Sequence, residues 1–305
     1  MIGSRWTTFL GGRLIRSARS SRGHASVRLS IVGIAAGVMT LIAVLSVMNG
    51  FQSSTIRSIL EVSSYHLRIE EVSGTDGSTE LVEALRQLPE VEAVVPFADV
   101  QALGRGFFER PATILLRGVP SNVREIDEGL AEQLEIAAGA FDVAGERTVV
   151  LGSELARTLG AGVGDVVVLV HLPQSGGAAG RPEETEMRVS GIFRTGYLDF
   201  DRTWAFISLD QARTLFNAGE TTIGLKLRNR FQDRSAEQRV SSLLARQSES
   251  AEVISWRTFN RGIFGALRVE KSMMLLLVGL IFLVVAVNIF HTLNRSVAER
   301  HEEIA

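Results

Sequence analysis

Five histidines, His24, His66, His171, His291 and His301, are scattered without ligand spacing, and the chain has no cysteine. Neither a Cys/His metal site nor a thiol nucleophile is therefore expected. Nucleotide chemistry meets the same obstacle. A phosphate-binding loop needs GxxxxGK followed by Ser or Thr. Lys226 is followed by Leu227, and Lys271, although followed by Ser272, has Glu270 where the last glycine must stand. The run Gly160-Ala161-Gly162-Val163-Gly164-Asp165 has the glycines of a phosphate cradle. It follows a predicted helix and precedes a predicted strand, the reverse of the order a dinucleotide fingerprint needs, so it reads as a turn. No acid–base pair or nucleophile constellation emerges. An enzyme is the least expected class, no cofactor is expected, and energy for any work must come from another subunit.

The remaining chemistry is that of helices in lipid. Leu29 to Ile56 and Ser272 to Asn294 contain no charged side chain. As helices they would extend about 42 and 35 Å, enough for a hydrocarbon core of about 30 Å. One charge at mid-membrane would cost on the order of 3 kcal/mol, so its absence from both runs is a constraint. Within the first run Gly33 and Gly37 make a GxxxG, extended by Ala36, Thr40 and Ala43. Small residues there allow close backbone approach, so Gly33, Gly37 and Thr40 are candidate helix-packing positions; the competing reading is that Gly is simply common in membrane helices. The strongly polar Asn288 of the second run lies near its end and reads as an interfacial hydrogen-bonding group.

Charge orients the chain. Residues 1–28 hold six Arg and no acid, whereas residues 51–272 hold 24 basic and 31 acidic side chains, a net of −7. The positive-inside rule puts the N-terminus in the cytoplasm and the middle section outside. The charges around the second span do not orient it, but two spans must return the chain. The first apolar run is nearly twice the length of a signal-peptide core and ends in Met48-Asn49-Gly50-Phe51, so cleavage is not expected. Residues 1–28 read as a basic interfacial helix with Trp6, Leu10 and Leu14 near one face. A mitochondrial transit peptide is the rival reading. The excess of Arg over Lys reads as genomic bias.

The middle section reads as an α+β domain of two mixed subdomains. Tyr65–Val72 alternates like a strand, Gly74–Ser78 has turn chemistry, and Thr79 is placed to cap a helix through Leu81, Val82, Leu85 and Leu88. Strands at Val91–Phe97 and Thr113–Gly118 complete a βαβ-type unit. A second unit has strands at Thr148–Leu151, Val166–Leu172, Met187–Phe193 and Trp204–Ser208. In it Ser153 is placed to cap a helix that Gly160 ends, and Asp210 to cap one ending at Phe216. Ile223–Leu227 alternates, Ser235–Arg246 is helical, and Pro173–Pro182 has too many breakers for regular structure. The expected organisation is a basic N-terminal segment 1–28, a span 29–56, the domain 57–260, a helix continuing into a second span 261–294, and a cytoplasmic segment 295–305.

Several stretches carry a family resemblance. They are FLGGRLIRSARS before the first span, SIVGIAAGVMTLIAVLSVMNGFQ across it, ERTVVLGSELARTLGAGVGDVVVL and GIFRTGYLDFDRTWAFISLDQARTLF in the domain, and NRGIFGALRVEKSMMLLLVGLIFLVVAVNIFHTL into the second span. In these the chain resembles the LolC/LolE-like permease subunits of the lipoprotein-releasing (Lol) ABC transporters, within the MacB/FtsX-like permease superfamily. The resemblance implies a multi-pass protein of the bacterial inner membrane with a MacB-like periplasmic domain. It implies as partners an ATP-binding subunit, a second permease in a homo- or heterodimer, a lipoprotein substrate, a periplasmic carrier and membrane lipids, with no nucleic acid. Such permeases have four spans, so this chain is expected to be a C-terminally truncated or split version. The family's carrier-binding hairpin falls at Pro173, Gln174, Arg181 and Pro182. Met48, Phe51 and Met274, each at the outer end of a span, are assigned to the mouth of the lipoprotein cavity. Arg300, Glu302 and Glu303, in a charged helix-compatible segment, are assigned to ATPase contact, against the reading of a solvated helix end.

The implied function is extraction of lipoproteins from the inner membrane and transfer to the carrier, powered by the separate ATPase. Each buried CH₂ holds an acyl chain by about 0.8 kcal/mol, so extraction requires external work. The alternatives are a MacB/FtsX-like mechanotransmission or efflux permease, and a two-span extracytoplasmic sensor.

Overall fold

A computed structural model describes residues 23–301 except 73–74, 109, 173–181, 219–220, 230–231 and 248–250. The chain forms two compact units: residues 1–52 with 265–305, and residues 53–264.

In chain order, helix α1 spans Gly23–Ser58 and passes directly into a π-helical turn, Ile59–Ser64. There follow β1 (Leu67–Val72), α2 (Thr75–Arg86), β2 (Val91–Arg105), β3 (Ala112–Val119), α3 (Val123–Ile126), α4 (Glu128–Gln133), β4 (Glu135–Gly139), β5 (Thr148–Gly152) and α5 (Ser153–Leu159). Next come β6 (Val166–His171), β7 (Glu183–Arg194), α6 (Leu198–Thr203), β8 (Trp204–Ser208), α7 (Leu209–Phe216) and β9 (Thr221–Leu227). The chain closes with α8 (Asp233–Gln247), β10 (Glu252–Ser255), α9 (Trp256–Phe259) and α10 (Arg261–His301).

The strands run β10-β1-β9-β2-β3-β8-β5-β7-β4, with β6 pairing β2 and β7. β9 lies antiparallel to both β1 and β2, so β1-α2-β2 is a split βαβ unit whose missing central strand arrives late in the chain. β2 serves two neighbourhoods. Its first half, Val91–Phe97, pairs with β9, and its second half, Ala98–Gly104, pairs with β3. Period-2 alternation puts Leu67 and Ile69 of β1 and Ile223, Leu225 and Leu227 of β9 on one face. They pack there with Leu81 and Leu85 of α2 and with Ala236, Val240 and Leu244 of α8, which recur every fourth residue. A second apolar cluster packs α5 and α7 on β2, β3, β5, β6, β7 and β8. A third, rich in aromatic rings, gathers Tyr65, Phe97, Phe193, Phe200, Trp204 and Phe206 around the end of the π-turn. This is the α+β domain expected from the sequence.

Several local assignments differ: β2 runs on to Arg105, and α3, α4, β4 and β10 are additional elements. Residues 75–78 of the expected turn are the first turn of α2, and Thr79 is inside that helix. Leu81 and Leu85 bury against the sheet, and that packing outweighs the turn preference of Asp and Gly. Tyr65 precedes the strand and has a left-handed backbone, φ 54°. Gly152, not Ser153, is the N-cap of α5. Ser208, not Asp210, caps α7 by accepting from the Gln211 amide. Where a strand runs straight into a helix, the capping backbone is the last extended residue, which comes one or two positions earlier than a pattern of helical residues indicates. The GAGVGD run is a turn, with the Gly162 amide donating to Asp165 Oδ2 at 2.8 Å.

In the other unit, Ile31–Gly50 and Arg261–His291 are long and apolar enough to cross a membrane. Leu275 and Leu276 are 76% and 71% exposed. The half-buried positions form a narrow stripe on each helix: Leu41, Leu45, Met48 and Gln52 on α1, and Leu267, Glu270, Met274, Val278, Ile281 and Val285 on α10. Their spacing by threes and fours is that of an antiparallel helix pair. Gln52 Nε2 donates to Glu270 Oε2 at 3.1 Å and sets the register.

Candidate functional site

An α-helix leaves its last carbonyls without intrahelical donors and carries a partial negative charge at that end. The π-turn ends α1 inside the domain, with Ile59, Leu60, Val62 and Ser64 buried. With much of the turn buried, side chains serve these carbonyls.

Three cations do so in sequence. Lys226 Nζ, on β9, donates to Glu61 O at 3.1 Å, and at 2.5 Å each to Glu61 Oε2 and Asp127 Oδ1. All three of its donors are used. Arg117 Nη1, on β3, donates to both Val62 O and Ser63 O at 3.0 Å. Its Nε and Nη2 clasp Asp99 Oδ1 and Oδ2, each at 2.7 Å. Arg68 Nε, on β1, donates to Ser64 O at 3.0 Å, and its Nη2 donates to Ser63 O. The carbonyls of residues 61 to 64 are thus all taken by side chains from three strands.

Aromatic rings hold these cations. Arg117 lies between Phe97 and Trp204, 4.2 and 4.4 Å from their centroids, and only 1% of its side chain is exposed. Arg68 lies 3.8 Å over Phe259. Burial and the neighbouring Arg117 push the Arg68 pKa down to about 10, which leaves it charged at neutral pH. Burial raises the Asp127 carboxyl above the usual carboxylate range, against the pull of Lys226. Asp127 also caps α4, accepting from the Leu130 amide at 2.9 Å. The planar guanidinium of Arg117 clasps both oxygens of Asp99 and still reaches two carbonyls, four acceptors where an ammonium has three donors.

The chain leaving the domain is tied to the same turn. Asn260 Nδ2 donates to Ser64 Oγ at 2.8 Å. The Trp256 amide donates to His66 O at 3.1 Å, and His66 Nδ1 accepts from the Leu227 amide at 2.8 Å. Chemically the arrangement is a buried network of ion pairs and charge-assisted hydrogen bonds on backbone carbonyls. Among the described residues no group of three or more His, Asp or Glu could hold a metal ion.

None of the residues singled out from sequence belongs to this clamp. Gly33, Gly37 and Thr40 lie on α1, about 50–110° round the helix from the half-buried stripe. A Cβ at either glycine would meet nothing within 4 Å. Thr40 Oγ1 bonds back to Ala36 O at 2.9 Å. Met48 and Met274 are on the facing stripes, one turn from Gln52 and Glu270. Phe51 is in α1, and Arg300 is in the last turns of α10. Pro182 is exposed just before β7. Pro173, Gln174, Arg181, Glu302 and Glu303 lie outside the described residues.

The missed residues left a faint signal. Lys226 interrupts an otherwise uncharged strand, Thr221–Leu227 (TTIGLKL), whose two faces are both largely buried. A charge in a centrally placed strand demands a buried partner. Nothing in the sequence named that partner.

Residues 28–243 match the family described as MacB-like periplasmic core domain. Over 304 residues the chain is 31% identical to the lipoprotein-releasing system transmembrane protein LolC of Neisseria meningitidis serogroup B, covering 97% of this chain and 72% of that one. It is 28% identical over 298 residues to LolC of Xylella fastidiosa, covering 97% and 71%. The extracellular domain of the noncanonic ABC-type transporter YknZ from Gram-positive bacteria superposes with a TM-score of 0.43 at 17% identity, covering 62% of this chain and all of that one.

Proposed function

The chain belongs to the family of MacB-like periplasmic core domain proteins, as an inner-membrane permease of MacB/FtsX type, and on that premise we propose that its domain is moved through the clamped end of α1. The observation that carries this reading is the capture of four successive helix-end carbonyls by Lys226, Arg117 and Arg68. A helix merely packed against a domain can slip. One whose terminal carbonyls are held by buried, charge-assisted bonds passes rotation and translation to the sheet. An ATP-binding subunit in the cytoplasm supplies the work, and a second permease completes the transporter.

The cargo we assign is lipoprotein, a finer reading supported by the similarity to LolC proteins along nearly the whole chain. Acyl chains would enter near Met48, Phe51 and Met274, the segment between β6 and β7 (Pro173, Gln174, Arg181, Pro182) would meet the carrier, and Arg300, Glu302 and Glu303 the ATPase. The small face of Gly33, Gly37 and Thr40 would pack on the second permease.

Reconstitution with the co-purified ATPase tests both levels. Lys226→Met is expected to leave ATP hydrolysis running while cargo release falls by at least about tenfold. Release that persists beside hydrolysis refutes transmission through the clamp. Photocrosslinkers at Met48, Phe51 and Met274 that never capture an acylated protein refute the cargo.

A further inference from the structure

We propose that the Ile59–Ser64 π-turn is a two-position hinge, able to pass one residue between π and α register while the arginines keep hold of it. This rests on the transmission reading and adds how the motion is admitted. A π-turn winds one more residue into its turn than α register does, and such turns are rare and frequently placed at functional sites. Returning it to α register would shift the helix end by about 1.5 Å and turn it by about 100°.

Four features of the site fit such a step. Arg117 spans the carbonyls of Val62 and Ser63, and Arg68 those of Ser63 and Ser64. Each arginine already holds two consecutive carbonyls, so a one-residue shift leaves each with a partner. The residue that follows the turn, Tyr65, has φ 54°, a conformation that is costly for a bulky side chain and is kept only where surroundings enforce it. Its ring is stacked on Phe97 at 5.3 Å, and it lies so close over Gly224 that a Cβ there would come within 2.4 Å of it. Finally, a polar cleft of about 490 Å³ lined by Leu60, Glu61, His66, Gly129, Leu227 and Arg228 runs beside the turn and gives it room.

Hydrogen–deuterium exchange of the full chain in lipid nanodiscs, bound to its ATPase with and without a non-hydrolysable ATP analogue, tests this. The amides of residues 60–66 should change exchange by at least about tenfold between the two states, while Leu67–Glu70 of β1 stay protected. Deleting Ser63 removes the extra residue and should abolish the change. Gly129→Ala is the gentler variant, since its Cβ would lie 2.1 Å from Glu61 Oε2 and 3.1 Å from Lys226 Nζ and so press on that ion pair without removing it. It should speed exchange at 60–66 before nucleotide is added. If 60–66 exchange alike in both states while the spans respond, the hinge is wrong and transmission by a rigid clamp stands. If nothing responds although the ATPase is bound, hinge and transmission fall together.

Discussion

Asn260 donates a 2.8 Å hydrogen bond to Ser64 Oγ across 196 residues of chain, and the bond is buried. Ser64 closes the turn by which the chain enters the domain, and Asn260 begins the stretch by which it leaves. The entering and leaving backbones are therefore joined by a side-chain bond as well as by the β1–β10 ladder. Asn260 also bonds to Trp256 O at 2.9 Å, which fixes its amide.

Removing that bond should loosen both ends together. Asn260→Ala and Ser64→Ala are each expected to cost about 1–3 kcal/mol, because a buried partner is left unserved. The double variant should cost less than the sum, with a coupling of about 1 kcal/mol. Urea unfolding of the full chain in detergent, followed by the fluorescence of Trp204 and Trp256, measures it. Strict additivity would refute the link.

Lys226→Met should be the most damaging change in the clamp. It leaves Asp127 and Glu61 facing each other without the ammonium, with Asp127 fully buried. Loss of one partner of a buried ion pair costs about 3–5 kcal/mol. Adding Asp127→Asn removes the stranded charge and should recover part of the loss. No recovery in the same unfolding assay would show that the two residues do not act as a pair.

The raised pKa of Asp127 fixes the sign of a pH effect. The folded protein holds this proton more tightly than the unfolded chain, whose Asp titrates near about 3.9. The stabilising contribution is present in full below that value and is lost as pH rises through the folded pKa. Stability of the wild type relative to Asp127→Asn should therefore fall as pH rises across that window. A difference that grows with pH would contradict the assignment.

Gly37→Leu separates folding from assembly. Nothing lies within 4 Å of an added Cβ, so the chain should unfold at the same denaturant concentration as the wild type. If the small face packs on a second permease, the variant should lose pairing in detergent, by about tenfold or more in affinity. Unchanged pairing would assign that face to lipid.

Both apolar helices and most strand positions were legible because each is written locally, as a run without charge or as a period of two. The β1-α2-β2 unit was also legible, but not that β9 inserts between its strands: that pairing joins residues more than a hundred positions apart. The caps of α5 and α7 were misplaced by one and two residues because backbone geometry, not residue type, decides where a strand ends and a helix begins; that of α2 was misplaced further, because packing of Leu81 and Leu85 carried the helix back through the expected turn. The clamp left the least trace. Arg68, Arg117 and Lys226 look like ordinary members of alternating strands, and only the order of strands in the sheet turns them to one side of one helix end.

By itself the sequence determined the medium and the architecture: two charge-free runs dictate lipid, and alternating periods dictate an α+β domain between them. Only the tertiary structure decided what the buried charges are for. A lone cation in a strand has no meaning until the fold brings an unpaired carbonyl to it, and here the end of α1 supplies four.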